Sequence, residues 1–382
     1  MAFPIVRTDF DLRIIISSLA SSVTKNEFLV TNFEESLSLM TNKKYAVFFP
    51  KLRFGMEATF NILFNNKIIG VPTYTCSVVP HSVSLSGNHV KFFDSNADNM
   101  TTENYPKDLT SYIVTPWYGS PLDSKIDHIE YSFGDFSHVN IFDLNKFDNN
   151  FFATFFSFQA GKPISSIGGG LVSTDDEELY KKLTKARNYQ FGDKISTFEV
   201  SEIIYSLMGS FVNILNLEKI KIKLDDVGYL DFLREPIDKI SLGKSSKRLS
   251  AYQIEMLIRN IEKNEYNHIK IYDFWKKTLN SFPIEILNTE NWSHSHFNIK
   301  TTEGNSLESE FNKLGIQTSR GIRYLNHYID PYKNLQNIGN YKNAIDHSHN
   351  LLQLPINLSE KNYFKLLKNK EKIENKIRKI YS

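Results

Sequence analysis

Apolar residues in the first half of the chain form short solid runs separated by helically spaced stretches. Tyr45 to Phe49 (YAVFF) reads as strand, Met56 to Phe64 has helical spacing, and Lys67 to Pro72 is strand-like again. Ser77 to Gly87 predicts a helix closed by its glycine, and the run from His89 to Asp94 is another strand. Two more apolar runs follow, one within Ser111 to Gly119 and one opening the stretch from Phe155 to Gly170. Strands alternating with helices, rather than paired hairpins, predict an α/β fold with a mostly parallel central sheet covered on both faces.

Residues 198–247 are helical in pattern but mixed in character, and the pattern assigns them no task. A sharp helix start follows. Ser250 and Gln253 have the spacing of a capping box, and Ile254, Leu257, Ile258 and Ile261 make one apolar stripe. This helix is expected to lead from a large domain, residues 1–250, into a smaller α+β domain, residues 251–382. The smaller domain would hold strands near Phe282 to Leu287 and His296 to Lys300. The basic tail keeps helical apolar spacing and is interrupted by Glu371 and Glu374, so it reads as a solvated final helix.

Composition narrows the function classes. The chain has 382 residues, 41% hydrophobic and 23% charged, within the range of a soluble globular protein with a sizeable core. A net charge of +2 gives no general attraction to nucleic acid or a membrane surface. The single cysteine, Cys76, excludes a disulfide framework and a cysteine-ligated metal or iron–sulfur cluster built by one chain. No apolar run approaches the ~20 residues of a membrane span. Arg7, Asp9, Asp11 and Arg13 stand where a signal peptide needs an uninterrupted apolar region, so a cytoplasmic location is expected.

One stretch carries chemistry. The aromatic run at Phe155 ends in Ser157, then Lys162, then Gly168, Gly169 and Gly170. A lysine after a core strand must find a partner or lose its proton, and an amine that deprotonates readily can attack a carbonyl. Upstream, Asp135 and His138 follow the alternating apolar positions Ile129, Tyr131 and Phe133. An aspartate at a strand end can keep a pyridine nitrogen protonated, which together with a Schiff-base lysine is what pyridoxal phosphate needs as an electron sink. The stretch from Arg53 to Ala58, between strand and helix, offers backbone amides for a phosphate.

The order and spacing of these parts resemble the DegT/DnrJ/EryC1/StrS family of sugar aminotransferases. The segment FFSFQAGKPISSIGGGLVSTDDEEL is similar to the family's Ser-Phe-x-x-x-Lys segment with its trailing glycines. IVTPWYGSPLD resembles its strand ending in Tyr-Gly-x-Pro. IIGVPTYTCSVVPHSVSLSGNHVKFFDSN is similar to its segment of strand, Pro, helix, Gly, strand and Asp. TNFEESLSLMTNKKYAVFF, LGIQTSRGIRYLNHY and LLQLPINLSE resemble its opening and closing elements.

The resemblance implies an aspartate-aminotransferase-like fold of type I and pyridoxal 5'-phosphate as cofactor. Lys162 would carry the cofactor in Schiff-base linkage and then act as general base. Ser157 would bind the phosphate with the backbone amides of Gly55 and Met56. Asp135 would pair with the pyridine nitrogen, and His138 would contact the ring's 3-oxygen. Arg320, Arg323 and His327 would border a nucleotide-sugar pocket and could meet a diphosphate. The implied reaction moves an amino group from glutamate to a nucleotide-linked keto-deoxysugar, for an amino sugar of a surface polysaccharide or similar glycoconjugate. The family also implies a homodimer with sites at the interface.

Four departures accompany the resemblance. The family's hydroxyl-bearing phosphate turn reads Phe54-Gly55-Met56, its ring-stacking aromatic aligns with Cys76 (with Tyr74 a possible substitute), and its interface asparagine appears as Ser246. The segment before Asp135 is also several residues short, which makes Asp143 a rival for the pyridine nitrogen. The pairs His294 with His296 and His347 with His349 have a spacing that metals can use, but no carboxylate or cysteine stands in register, and no metal site is expected. The departures motivate an alternative function, a catalytically retired homologue acting as a binding or regulatory subunit.

Overall fold

The computed structural model describes residues 11–24, 28–97, 100–101, 109–122, 130–147, 150–159, 161–192, 194–214, 249–262, 267–287, 292–322, 325–328, 332, 339–356, 358 and 360–382. Seven strands make one sheet: β1 (Tyr45–Phe49), β2 (Ile68–Pro72), β3 (His89–Phe93), β4 (Ser111–Val114), β5 (Tyr131–Asp135), β6 (Ala153–Ser157) and β7 (Gly170–Thr174). Their order is β1-β7-β6-β5-β4-β2-β3. The pairings from β3 across to β6 are parallel, and β7 runs antiparallel to both of its neighbours. This is the mostly parallel α/β sheet that the apolar runs predict.

The strands read as solid apolar runs because both faces are covered. Val47, Phe49, Phe155 and Val172 enter one core cluster, and Ala46, Phe48, Phe156 and Leu171 enter the cluster on the opposite side. Alternation along each strand thus divides one sequence between two cores. Helices α1 (Leu12–Val23), α2 (Leu29–Thr41), α3 (Leu52–Leu63), α4 (Val78–Leu85) and α5 (Glu177–Phe191) belong to this large unit. Gly87 stands just past α4 with φ +81°, as the helix-closing reading requires. Asp176 caps α5 by accepting from the Leu179 amide at 2.6 Å. A buried ion pair between Glu34 and Arg187 joins α2 to α5, and Glu34 also accepts from the Phe48 amide at 2.7 Å.

Helix α6 (Val200–Ile214) is followed by residues outside the described set, and α7 (Ala251–Glu262) then begins. Ser250 caps α7 by accepting from the Gln253 amide at 3.0 Å. The Gln253 side chain does not close the box; it donates to the Pro50 carbonyl at 3.2 Å and ties α7 to the end of β1. Ile254 and Leu257 join the core of the large sheet, and Tyr252 and Met256 pack with Ile15 of α1. The stripe therefore holds α7 on the large unit rather than leading the chain away from it.

A second sheet has the order β10-β9-β8, from β8 (Glu285–Ile286), β9 (Phe297–Lys300) and β10 (Leu351–Leu354), all antiparallel. Its core includes Trp275, Phe311, Leu366, Ile373 and Ile377, so the basic tail is a packed helix with a solvated outer face. A division of the chain near residue 250 is a proposal that separates the two sheets, with β1–β7 before it, β8–β10 after it and α7 packed back on the large unit. Among the described residues no helix is long and apolar enough to cross a membrane.

Candidate active site

Lys162 stands in the connection between β6 and β7. The start of this connection is held by Phe158, whose amide donates to Gly169 O at 3.0 Å and whose carbonyl accepts from the Ser166 amide at 2.7 Å. Within the turn, Lys162 N donates to Gln159 O, Ser165 Oγ donates to Lys162 O at 2.6 Å, and Asn260 of α7 donates to Ser165 O at 2.8 Å. The turn is thus fixed from both sides before any ligand is considered.

Two of the three trailing glycines answer a packing need. A Cβ on Gly170 would lie 2.1 Å from the Cα of Leu52, the first residue of α3. Gly169 has φ +113°, and a Cβ there would meet the Phe48 ring at 2.7 Å. The Gly169 amide donates to Pro50 O at 2.9 Å. Glycine here lets the start of α3 lie directly on the sheet beside Ser157, which pairs with Gly170 in the ladder.

The Lys162 Nζ lies 2.9 Å from His138 Nε2. Burial lowers the Lys162 pKa below the ordinary lysine value, and nearby Cys76 and Asp135 partly oppose that shift. His138 is pushed well below the usual histidine range by burial, then by the charges of Lys162 and His296. Its ring is packed by Trp117 at 4.2 Å, Tyr118 at 5.2 Å and His296 at 5.1 Å between centroids. Its Nδ1 is buried without a hydrogen-bond partner.

Asp135 ends β5 at 2% exposure and accepts from Ser137 Oγ at 2.5 Å and Ser137 N at 3.2 Å. Burial raises its pKa, although Ser137 and Lys162 pull the other way. The rival, Asp143, is committed elsewhere. Its Oδ2 accepts from Ser293 Oγ at 2.9 Å and from the His294 amide at 3.3 Å, and its Oδ1 pairs with Lys146 at 3.3 Å.

Ser157 Oγ is half-buried at the end of β6 and accepts from the Gln159 amide at 3.4 Å. Gly55 and Met56 do not occupy the start of α3. They are its fourth and fifth residues, one turn past its first amides. The donors at the helix start belong to Leu52 and Arg53, one turn earlier than the sequence register implied. A Cβ on Gly55 would press Val172 at 2.7 Å, so that glycine serves helix–sheet contact instead.

Arg320 is also redirected. Its Nε donates to Glu308 at 3.1 Å, its Nη1 to His349 O at 3.0 Å and its Nη2 to Asn305 at 2.5 Å, which commits it to the small unit's own packing. His327 Nδ1 lies 2.5 Å from Thr73 Oγ1, and its ring stands against Tyr328 and Tyr341. Arg323 and Ser246 lie outside the described residues. Cys76 is exposed and within electrostatic reach of Lys162, whereas Tyr74 is turned into the core edge-on to Trp117.

The histidine pairs separate. His294 Nδ1 meets Lys146 Nζ at 3.2 Å, while His296 faces His138 and Tyr118. His347 is buried with Nε2 on Asn96 O at 2.8 Å, and His349 offers its carbonyl to Arg320. Among the described residues no group of three or more histidine, cysteine, aspartate or glutamate side chains could hold a metal ion. The sequence reading did not bring Trp117, Tyr118, Ser295 and His296 to the lysine. The His-x-His spacing marked His296, but as a metal candidate; Trp117 and Tyr118 fall in the stretch IVTPWYGSPLD, and nothing local marks Ser295.

Comparison with known proteins gives a consistent picture. The model of the DegT/DnrJ/EryC1/StrS aminotransferase family matches residues 150–219, the stretch that contains Ser157 and Lys162. No curated protein matches the chain. Among solved structures, Helicobacter pylori PseC, an aminotransferase involved in the biosynthesis of pseudoaminic acid, is similar with a TM-score of 0.71 at 15% identity, covering 100% of this chain and 99% of that one. Spr1654 from Streptococcus pneumoniae in its PLP-form is similar with a TM-score of 0.71 at 15% identity, covering 99% and 100%. DesI in the presence of its TDP-sugar product is similar with a TM-score of 0.68 at 12% identity, covering 98% and 94%. The chain has the fold-type-I architecture of these aminotransferases.

Proposed function

We propose that this chain is a pyridoxal-phosphate-dependent sugar aminotransferase of the DegT/DnrJ/EryC1/StrS family, moving an amino group from glutamate to a nucleotide-linked keto-deoxysugar. The product would be an amino sugar for a surface polysaccharide or similar glycoconjugate, made in the cytoplasm. The observation that carries this reading is a half-buried lysine, Lys162, whose amine contacts a buried imidazole, His138, and lies within electrostatic reach of a strand-end carboxylate, Asp135.

The residues fit the cofactor. Pyridoxal phosphate, when bound, supplies the electron sink for breaking a C–H bond beside nitrogen. Lys162 would hold it and afterwards move the proton, a task suited to an amine whose pKa burial has lowered. Asp135 would hold a proton on the ring nitrogen, gaining a cationic partner for a carboxylate that burial leaves costly. His138, already beside the Lys162 nitrogen, would reach the neighbouring ring oxygen. Ser157 and the amides of Leu52 and Arg53 would meet the phosphate at the start of α3. His327 and Arg323 stay as proposed substrate contacts.

A homodimer is part of the proposal. Val200, Ile204, Met208 and Phe211 form an exposed stripe along α6, with exposures of 53% to 65%. A second copy of the chain would cover it. The exposed Cys76, where the family places a ring-stacking aromatic, favours the alternative of a retired homologue that binds without turnover.

The test is direct. Pyridoxal phosphate added to the purified protein should give an absorption band that borohydride fixes covalently on Lys162, as peptide mapping would reveal. Lys162→Ala should abolish both the band and any glutamate-dependent amination. No band, or an adduct on another lysine, overturns the reading. A band on Lys162 without amination of any keto-sugar nucleotide favours the retired homologue.

A further inference from the structure

The residues that lead into β9 dock on the large unit. Trp292 is 1% exposed in the large unit's core. The Ser293 amide donates to Gly119 O at 2.8 Å, and Ser293 Oγ accepts from the Asn140 amide at 3.0 Å while donating to Asp143. Ser295 Oγ donates to the His138 carbonyl at 2.6 Å and lies 3.2 Å from the Tyr118 carbonyl. Gly119 has φ +81°, and a Cβ there would stand 2.8 Å from both Ser293 Cβ and Ser295 Oγ. Four consecutive residues therefore stitch together the loop after β4, which carries Trp117 and Tyr118, and the loop after β5, which carries His138.

His296 completes the segment. Its ring centroid lies 5.1 Å from those of both His138 and Tyr118. We propose that Ser295 and His296 are positioning residues of the small unit that hold His138 against Lys162 and keep water from the amine. Their effect passes through His138 and through the closed aromatic wall around it.

The groups that face Lys162 are Asp135 from the end of β5, His138 from the loop after it, Cys76 from the loop after β2, and His296 from the lead into β9. His296 is driven down to about 3 by burial and then by the Lys162 and His268 charges, so it stays neutral beside the amine at neutral pH. The ring acts by filling space rather than by charge. Removing it admits water, which stabilises the ammonium form of Lys162 and returns its pKa toward the ordinary lysine range. Losing the Ser295 hydroxyl releases the His138 backbone with the same result.

This inference rests on the proposed reaction only in giving the amine a task. Its test needs no cofactor. The full chain without pyridoxal phosphate is labelled with trace acetic anhydride across a pH series, and acetylation of the Lys162 peptide gives its titration. Ser295→Ala and His296→Ala should each raise that midpoint by about one unit, leaving about tenfold less free amine at a fixed pH below it. His296→Phe, which keeps a dry ring, should restore the original midpoint. His294→Ala, whose ring meets Lys146, should leave it unchanged. Melting curves identify any variant that fails to fold, and Ser295→Thr and His296→Gln then replace it, with smaller shifts of the same sign.

Unmoved midpoints in folded Ser295 and His296 variants overturn the inference, as does an equal shift in His294→Ala. A wild type that takes no pyridoxal phosphate sinks the proposed function and leaves this measurement valid.

Discussion

Two aspartates, eight positions apart on either side of His138, divide the work of the site. Asp135 is sealed at the end of β5, receives Ser137 from its own loop, and reaches Lys162 only electrostatically. Asp143 keeps 18% of its side chain exposed and is bound by Ser293, the His294 amide and Lys146. The first is held where a carboxylate is costly, and the second is spent on joining the small unit to the large one. A carboxylate left without a direct cationic partner in a dry site suits a ligand; one that is already paired suits architecture.

The largest expected effect comes from Asp135→Asn. It should slow amination about a hundredfold, the cost of losing one charge-assisted hydrogen bond worth about 3 kcal/mol to the bound ring. Borohydride trapping on Lys162 should survive at raised cofactor concentration. A comparable loss in Asp143→Asn instead would reverse the comparison.

Acid should act next, through the histidines packed beside Lys162. His138 and His296 both have folded pKa values below the ordinary 6.5, His296 at about 3. Above that ordinary value they are neutral in both folded and unfolded states and contribute no pH dependence. As pH falls below it, the unfolded chain takes up protons that the folded chain refuses, so stability drops progressively toward pH 3. Melting temperature against pH should show this fall, and His296→Phe should flatten it. An unchanged slope in that variant would place the proton uptake elsewhere. Asp143→Asn should bring the smallest change: a stability loss of about 1 kcal/mol in denaturant titration, with cofactor trapping kept.

Much of the sheet was legible because burial on both faces leaves solid apolar runs, as at Tyr45–Phe49 and Ala153–Ser157. The candidate lysine and Asp135 stood out for a related reason: polar residues near the ends of such runs are costly without a task, whereas Ser157 was marked by the family resemblance alone. The start of α3 was not. Lys51 makes no side-chain cap, and the apolar spacing that marks the helix becomes regular only from Met56, so the expected phosphate turn fell one turn late. The packing task of the glycine triplet was hidden because the neighbour of Gly170 in space, Leu52, is more than a hundred residues away in the chain. Arg320 has the same character: nothing in its local charge pattern reveals that Glu308, Asn305 and the His349 carbonyl will occupy its guanidinium. Sequence pattern reports which residues want burial and is silent on which distant backbone meets them.

The position of β7 has a consequence for how the molecule is made. Strand β1 forms the edge of the large sheet, and its ladder partner is β7, with Tyr45 opposite Thr174. Every nascent chain shorter than this pairing carries Ala46, Val47, Phe48 and Phe49 as an open apolar edge. The order of synthesis therefore sets a long waiting time for the first strand, and Lys162 emerges before that wait ends. Amino-terminal fragments that stop before Gly170 should aggregate rather than fold, because they lack the strand that pairs with β1 on one side and with Ser157 and the rest of β6 on the other.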